Sequence, residues 1–129
     1  MGDLKDWALG VASKASKVNI TERQVGDVII LSVAGNIITG ESAGTVQGLI
    51  RRILTEGHRK ILLDMAHVIW VDSMGIGELV SALVSVTHAG GQIKLLKVRE
   101  NIKELLSITG LHTVFAIYDD ELEALNDYL

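Results

Sequence analysis

The sequence predicts an α/β fold in which a small, mostly parallel sheet packs against helices. Two β-rich runs separated by Gly26-Asp27 indicate a hairpin near the start of the chain. After them, apolar stripes at helical spacing alternate with short apolar runs to the end of the sequence. Helices of this length allow right-handed crossovers, so the later strands should be parallel. For 129 residues we expect one domain with about five strands and four helices, plus a short N-terminal helix.

The first 17 residues differ in pattern from the rest, so we predict an N-terminal extension at 1–17 and a domain at 18–129. Four apolar residues of the extension recur at helical spacing: Leu4, Trp7, Ala8 and Val11. Residues 13–17 are small or polar. We expect a short helix and a linker, with the helix packed on the domain or on a partner.

The first two strands are expected at Asn19–Val25 and at residues 28–33. Residues 28–31 are apolar without alternation, which indicates a strand covered on both faces. A polar turn is expected after Gly35, followed by a helical stripe over residues 43–54 that ends at Gly57.

The second half of the chain continues the alternation of strand and helix. A strand at 61–65 should end near Met65 and lead, through a short connector, to a helix that begins at Gly75. The remaining predicted elements are a strand at 93–98, a short helix stopped at Gly110, a strand at 114–118 and a final helix capped by Asp119-Asp120. In such sheets, function usually lies beyond the carboxyl ends of the strands.

Composition excludes several classes of function. The chain has no cysteine, which removes disulfides, thiolate catalysis and cysteine zinc sites and fits a reducing compartment. A net charge of −4 with scattered lysine and arginine argues against nucleic-acid binding. No apolar run approaches the ~18 residues of a membrane span. We expect a cytoplasmic domain that does not insert into membranes.

The Asp72-Ser73 corner is the strongest candidate for a site. It comes just before the predicted helix, where unpaired N–H groups and a partial positive charge suit an oxyanion. The oxyanion is either a ligand or a phosphate on Ser73 itself. The structural alternative is a helix N-cap, formed by the hydroxyl of Ser73 or the carboxylate of Asp72. Tight strand-to-helix packing would explain Gly75 and Gly77.

Three lookalike sites are not supported by the residues present. Residues 35–42 have the spacing of a phosphate-binding P-loop, but Glu41 stands where the lysine should be. Val71 stands where a hydrolase nucleophile turn needs glycine, and no histidine pairs with Ser73. The four histidines lie at or near predicted element ends, without metal-ligand spacing: His58, His67, His88 and His112. We therefore expect no enzymatic activity, no cofactor and no metal.

Two runs of the sequence resemble the signature of STAS domains, specifically bacterial anti-sigma factor antagonists. They are ILLDM at residues 61–65 and VDSMGIGEL at residues 71–79. The runs GGQIKL at 90–95 and LHTVF at 111–115 are also similar to the family, and the resemblance extends over roughly residues 19 to 128. It implies a STAS-type fold.

The resemblance implies a partner-switching regulator of transcription. The unphosphorylated antagonist binds an anti-sigma factor that is also a GHKL-type serine kinase, and so frees the sigma factor. The kinase phosphorylates the serine after the motif aspartate, here Ser73, and a serine phosphatase reverses the modification. The residues expected to contact the partner are Asp72, Met74, Gly75, Ile76, Asn36 and Glu41. We expect a monomer or a weak homodimer.

This chain departs from the family pattern at two places. Met74 stands where many members carry a second hydroxyl, so Ser73 is the only acceptor in the motif. The loop after Gly35 lacks the aspartate that family members often carry, and our hypothesis is that Glu41 takes its place. The alternative function is a STAS subunit of a larger assembly, either a stressosome-like scaffold or the accessory subunit of a transporter.

Overall fold

The computed structural model describes residues 18–37 and 45–128. Within these ranges five strands form one sheet, and their order in space follows their order in the chain. The strands are β1 (Asn19–Val25), β2 (Val28–Ile37), β3 (Lys60–Val71), β4 (Gln92–Leu96) and β5 (Ile117–Tyr118). β1 is antiparallel to β2, and every later pair of neighbours is parallel. The predicted fold class is confirmed.

Four α-helices and one 3-10 turn connect and follow these strands in the described part of the chain. They are α1 (Thr45–Thr55), α2 (Ser73–His88), α3 (Glu100–Ile108), the 3-10 turn (Leu111–Thr113) and α4 (Glu121–Asn126). Their number agrees with the prediction. The short N-terminal helix predicted for 1–17, and most of the turn predicted after Gly35, lie outside the described residues.

The helices cover the two faces of the sheet unequally. Parallel strands added in one direction by right-handed crossovers place their connecting helices on one face. Accordingly, α1, α2 and α3 share one large core with Ile29 and Leu31 of β2. α4 follows the last strand, and its Ala124 packs with Val28 and Ile30 on the opposite face. Residues 28–31 are all buried, so the prediction of a strand covered on both faces is confirmed.

β2 and β3 are both longer than the sequence predicts, and each extension supports the other. Asn36 pairs with Trp70 and Ile37 pairs with Val71, beyond the point where β1 and β4 end their pairing. At both register shifts in this ladder the extra residue is on β3, so β3 bulges while β2 continues past Gly35. The predicted turn therefore does not begin at Gly35, and the predicted connector after residue 65 is wrong. The result is a two-stranded projection from the sheet, formed by residues 35–37 and 68–71.

Other element boundaries differ by a few residues. α2 begins at Ser73, two residues before the predicted start. β4 ends at Leu96 because Lys97 adopts a positive φ of 56° and turns the chain out of the sheet. β5 is reduced to Ile117–Tyr118 because the N–H groups of Val114 and Phe115 donate back to the carbonyl of Leu111 and not to a neighbouring strand. The predicted hairpin, the end of α1 before Gly57 and the end of α3 before Gly110 are confirmed.

Candidate functional site

The chain passes from the projection into α2 at Asp72. The backbone of Asp72 is extended, with φ −94° and ψ −177°. Its carboxylate accepts a hydrogen bond from the N–H of Gly75 at 2.8 Å, and its carbonyl accepts one from the N–H of Ile76 at 2.9 Å. Of the two residues predicted as alternative caps, Asp72 is therefore the N-cap of α2.

Ser73 is the first residue of α2, and its side chain is exposed. Because Asp72 caps the helix, the hydroxyl of Ser73 is not needed for that purpose. It forms no hydrogen bond with any residue that the structure describes. The first turn of α2 contains no acidic side chain, so the cap supplies the carboxylate at the positive end of this 16-residue helix. This arrangement leaves the hydroxyl accessible to a modifying enzyme.

Gly75 fixes the start of α2 against the projection. A Cβ atom at this position would lie 1.9 Å from the carbonyl oxygen of Ile37 and 2.9 Å from Cγ1 of Val71. The same carbonyl accepts a hydrogen bond from the N–H of Asp72 at 3.3 Å. The packing explanation is therefore confirmed for Gly75. It is wrong for Gly77, which is exposed with open space around it.

Three large apolar side chains within four residues of Ser73 in the sequence are exposed. Ile69 is 58% exposed, Trp70 is 53% exposed and Met74 is 64% exposed. Two of these three belong to the projection, where the sequence predicts only a connector. Contiguous exposed apolar residues of this size mark surfaces that bind other molecules. The β-rich run VIWV at residues 68–71 is the sequence pattern that could have identified Ile69 and Trp70 as strand residues.

A groove of about 450 Å³ opens directly beside Ser73. We call it the Ser73 groove, and it is lined by Trp70, Val71, Asp72, Ser73, Ile76, Leu105 and Thr109. α3 supplies its far wall and is tied to the projection, because the side-chain amide of Asn101 donates to the carbonyl of Ile69 at 3.0 Å. No pattern in the sequence indicated that α3 belongs to the site, since only tertiary packing brings it there.

The residues predicted to contact a partner have different places in this site. Met74 is on the surface, whereas Gly75 and Ile76 are buried and support the corner from below. Asn36 is half-buried on β2 and pairs in register with Trp70. Glu41 lies outside the described residues. The structure thus groups five of the six predicted residues around the start of α2.

Glu78 is a structural residue of the site that the sequence did not single out. Its carboxylate accepts a hydrogen bond from the N–H of Val46 at 2.9 Å, near the start of α1. A backbone N–H in the first turn of α1, which has no partner within that helix, is therefore paired with a side chain from α2. This bond holds the beginning of α1 beside the second turn of α2.

The histidines are not gathered around Ser73. His67 lies within β3 rather than near an element end, so that part of the prediction is wrong. In the ranges 18–37 and 45–128, no three His, Asp or Glu side chains form a cluster suited to a metal ion. Nor is any helix in these ranges long and apolar enough to cross a membrane.

Comparison with known proteins identifies the family to which this chain is similar. The STAS domain model matches residues 19–124. A Thermotoga neapolitana protein named as an anti-sigma factor antagonist is 33% identical over 103 residues, which cover 80% of this chain and 91% of the relative.

Solved structures of proteins with related names share the fold. The crystal structure of a Thermotoga maritima protein of the same description has a TM-score of 0.73 and 26% identity, and the match covers 84% of this chain and 93% of that one. The Bacillus cell fate determinant SpoIIAA, in its phosphorylated form, has a TM-score of 0.67 at 15% identity and coverage of 84% and 97%. The chain belongs to the STAS domain family, and its relatives include proteins named as anti-sigma factor antagonists.

Proposed function

We propose that this protein is a partner-switching antagonist whose state is set by phosphorylation of Ser73. In the unmodified form it binds an anti-sigma factor that is also a serine kinase. The kinase transfers the γ-phosphoryl group of ATP to the Ser73 oxygen, the hydroxyl proton leaves and the complex dissociates. A serine phosphatase restores the binding form. In this scheme Ser73 is a substrate and the domain performs no catalysis.

The observation that carries the proposal is the exposed hydroxyl of Ser73 at the start of a helix capped by a different residue. Capping by Asp72 means that modification of Ser73 does not remove a structural hydrogen bond. Trp70 and Met74 provide exposed apolar area on either side of Ser73 in the sequence, as a protein interface requires. The Bacillus neighbour has been solved in a phosphorylated form, so the shared fold is compatible with a phosphate.

Phosphorylation should change the stability of the domain very little. A phosphate adds about −1.5 to −2 charges, and a helix N-terminus favours an anion by about 0.3–1 kcal/mol. The neighbouring carboxylate of Asp72 opposes it, by about 1 kcal/mol per unit charge at 4 Å in water. For that charge the balance is about 0.5–2 kcal/mol against the phosphorylated form, which is small beside the 5–15 kcal/mol typical of a folded domain. The domain therefore keeps its fold in both states.

The effect on a protein partner is much larger. A dianion enclosed in an interface without matching cations loses its hydration, at an effective cost of several kcal/mol. Each 1.4 kcal/mol is a tenfold change in affinity. Local repulsion and desolvation at Ser73 are therefore sufficient to release the partner, without any rearrangement of the sheet or helices.

The direct test is intact-mass measurement after incubation with the anti-sigma factor kinase of the same genome and Mg-ATP. We expect a gain of one phosphate in the natural protein and none in Ser73→Ala. Ser81→Ala is the matched control, since Ser81 is an exposed serine two turns further along α2, and it should be modified normally. An unchanged mass of the natural protein, or phosphorylation of Ser73→Ala to the same extent, would refute the proposal.

A binding experiment tests the second half of the scheme. Ser73→Asp should weaken binding to the anti-sigma factor at least tenfold, whereas Ser73→Ala should bind in the presence of ATP without being released. Titration calorimetry or interferometry would measure both affinities. Equal affinity of Ser73→Asp and the natural protein would show that charge at this corner does not control the complex.

A further inference from the structure

We propose that α3 is part of the surface that the anti-sigma factor kinase binds, and that the Ser73 groove receives a large, uncharged apolar side chain of that kinase. The inference rests on the proposed function for the identity of the partner. It extends that function to Leu105 and Thr109, which would help to determine the specificity of the complex. Three features support it: the place of α3 beside Ser73, the chemistry of the groove and the apolar surface that continues beyond it.

The position of α3 places it inside an interface centred on Ser73. A kinase must bring the γ-phosphorus of ATP to about 3–3.5 Å from the Ser73 oxygen. A standard protein interface covers about 800 Å² of each partner, of which one serine side chain is a small part. Leu105 and Thr109 line the same groove as Ser73, so they are among the nearest surfaces that a bound kinase would contact.

The chemistry of the groove favours an uncharged, apolar occupant. Four of its seven lining residues are apolar: Trp70, Val71, Ile76 and Leu105. The hydroxyl of Thr109 donates back to α3, at 2.9 Å from the carbonyl oxygen of Leu105, and the carboxylate of Asp72 caps α2. None of the seven is a lysine, arginine or histidine, and an unpaired charge is costly to desolvate. A volume of about 450 Å³ accommodates one or two large side chains.

The apolar surface continues from the groove over the outer face of α3. Ile108 follows Leu105 by three residues, which is the spacing of neighbours on a helix surface, and it is 81% exposed. The wall is fixed before binding, because the side-chain amide of Asn101 donates to the carbonyl of Ile69 at 3.0 Å. A preorganised wall lowers the conformational entropy lost on association. Exposed apolar residues beside a groove are typical of a protein-binding surface.

Occupation of the groove and phosphorylation of Ser73 would oppose each other. Ser73 belongs to the groove wall, so a phosphate on its oxygen would add about −1.5 to −2 charges there, beside the carboxylate of Asp72. The lining residues supply no cation to compensate them. An apolar side chain in the groove would also keep water from the phosphate. The same groove would therefore bind the kinase in the unmodified form and disfavour it in the phosphorylated form.

Filling the groove tests the inference directly. Thr109→Tyr adds an aromatic ring at the groove wall, and Thr113→Tyr is the matched control in the 3-10 turn, outside the lining residues. Both threonines are exposed, and each hydroxyl donates to a nearby backbone carbonyl. We expect Thr109→Tyr to bind the anti-sigma factor kinase of the same genome at least about tenfold more weakly, measured by calorimetry without ATP. Thr113→Tyr should bind like the natural protein.

A second pair of variants removes exposed apolar surface instead of adding to it. Ile108→Ser should lower the affinity severalfold, whereas Leu122→Ser should not, because Leu122 is 66% exposed on α4, which packs on the opposite face of the sheet. Thermal unfolding should give similar Tm values within each pair, which separates a loss of binding from a loss of folding.

Equal affinities within both pairs would overturn the inference, even where Ser73 is phosphorylated normally. Weaker binding of Thr109→Tyr together with an unmodified Ser73 would instead refute the switch and support the groove as the binding surface. A natural protein that does not bind the kinase at all would overturn both proposals. The inference and the proposed function can therefore fail separately.

Discussion

Two helices of this domain begin with the same kind of cap and differ in the residues of their first turns. The carboxylate of Asp72 accepts from the N–H three residues later at 2.8 Å, and the carboxylate of Asp120 does the same at 2.9 Å. Both cap residues have extended backbones. The capping bond alone therefore does not distinguish a functional corner from a structural one.

The residues after each cap have different electrostatic character. The first turn of α4 contains Glu121 and Glu123, and Glu121 also forms an ion pair with Arg23. The first turn of α2 contains no acidic residue and presents Ser73 instead. The positive end of α4 is thus already compensated by carboxylates, whereas that of α2 can receive a new anion. This contrast marks α2 as the helix whose charge a modification would change.

The two helices are also attached to the sheet in different ways. α2 is held by close backbone contact, through Gly75 against Ile37. The end of α4 is held around the buried side chain of Lys94. The Nζ atom of Lys94 lies 4.5 Å from the ring centroid of Tyr128 and 5.1 Å from that of Tyr118. Lys94 also donates to the carbonyl of Asp127 at 2.8 Å. One attachment depends on the absence of a side chain and the other on polar and aromatic side chains.

The largest expected effect comes from filling the close contact of α2. Gly75→Ala forces the backbone of Ile37 or of α2 to move, since the new Cβ would overlap a carbonyl oxygen. We expect a loss of about 2–3 kcal/mol or more in the free energy of unfolding, measured by urea denaturation.

Gly77→Ala is its matched control within the same helix. Gly77 has open space, so alanine there should stabilise the domain by about 0.5–1 kcal/mol through its better helix propensity. The explanation of the α2 attachment fails if both variants have the same stability.

Removal of either cap should have the next largest effect. Asp72→Ala and Asp120→Ala each lose one capping bond, and each should cost about 1 kcal/mol of stability. Only Asp72→Ala should also change the rate of Ser73 phosphorylation, because it alters the local geometry and charge of the acceptor. A large kinetic effect of Asp120→Ala would contradict the distinction between the two corners.

A smaller effect is expected from adding an acid to each first turn. Met74 and Leu122 are similarly exposed, at 64% and 66%, in the first turns of α2 and α4. Met74→Glu should stabilise the domain by about 0.3–1 kcal/mol, and Leu122→Glu should gain less because Glu121 and Glu123 already repel it. Thermal unfolding at low and high salt would measure both. Greater stabilisation by Leu122→Glu would show that the α4 end is not already compensated.

The smallest effect at neutral pH concerns the tyrosines that hold the end of α4. Hydrogen bonding to Asp127 raises the pKa of Tyr118 to about 12, and burial raises the pKa of Tyr128. Raised values favour the neutral hydroxyls in the folded state. The neutral hydroxyl of Tyr118 therefore contributes fully to the free energy of unfolding below pH 10.0, the ordinary pKa of tyrosine. This contribution is lost as the pH rises through about 12, the pKa in the folded state.

Phenolate absorbance would follow this titration in the native and the urea-unfolded protein. We expect little phenolate in the native protein at pH 10, where the unfolded chain is about half ionised. Native tyrosines that titrate like the unfolded chain would contradict the described contacts at the end of α4.

The sequence by itself determined the fold class and the position of the Asp72-Ser73 corner. Helical and strand periodicities identified most elements, because they depend on which residues of each segment are buried. Asp72 and Ser73 could be placed at a helix start because capping is a local interaction among residues close in sequence. Glycine at position 75 was also recognised as a packing residue from its place between strand and helix.

Tertiary structure decided what surrounds that corner. The extensions of β2 and β3 exist because Asn36 and Ile37 pair with Trp70 and Val71, residues more than 30 positions away. α3 forms a wall of the groove through Leu105 and Thr109, and no local pattern predicts such a contact. Capping and periodicity are encoded within a few residues, whereas the projection and the groove depend on distant segments whose pairing only the folded chain defines.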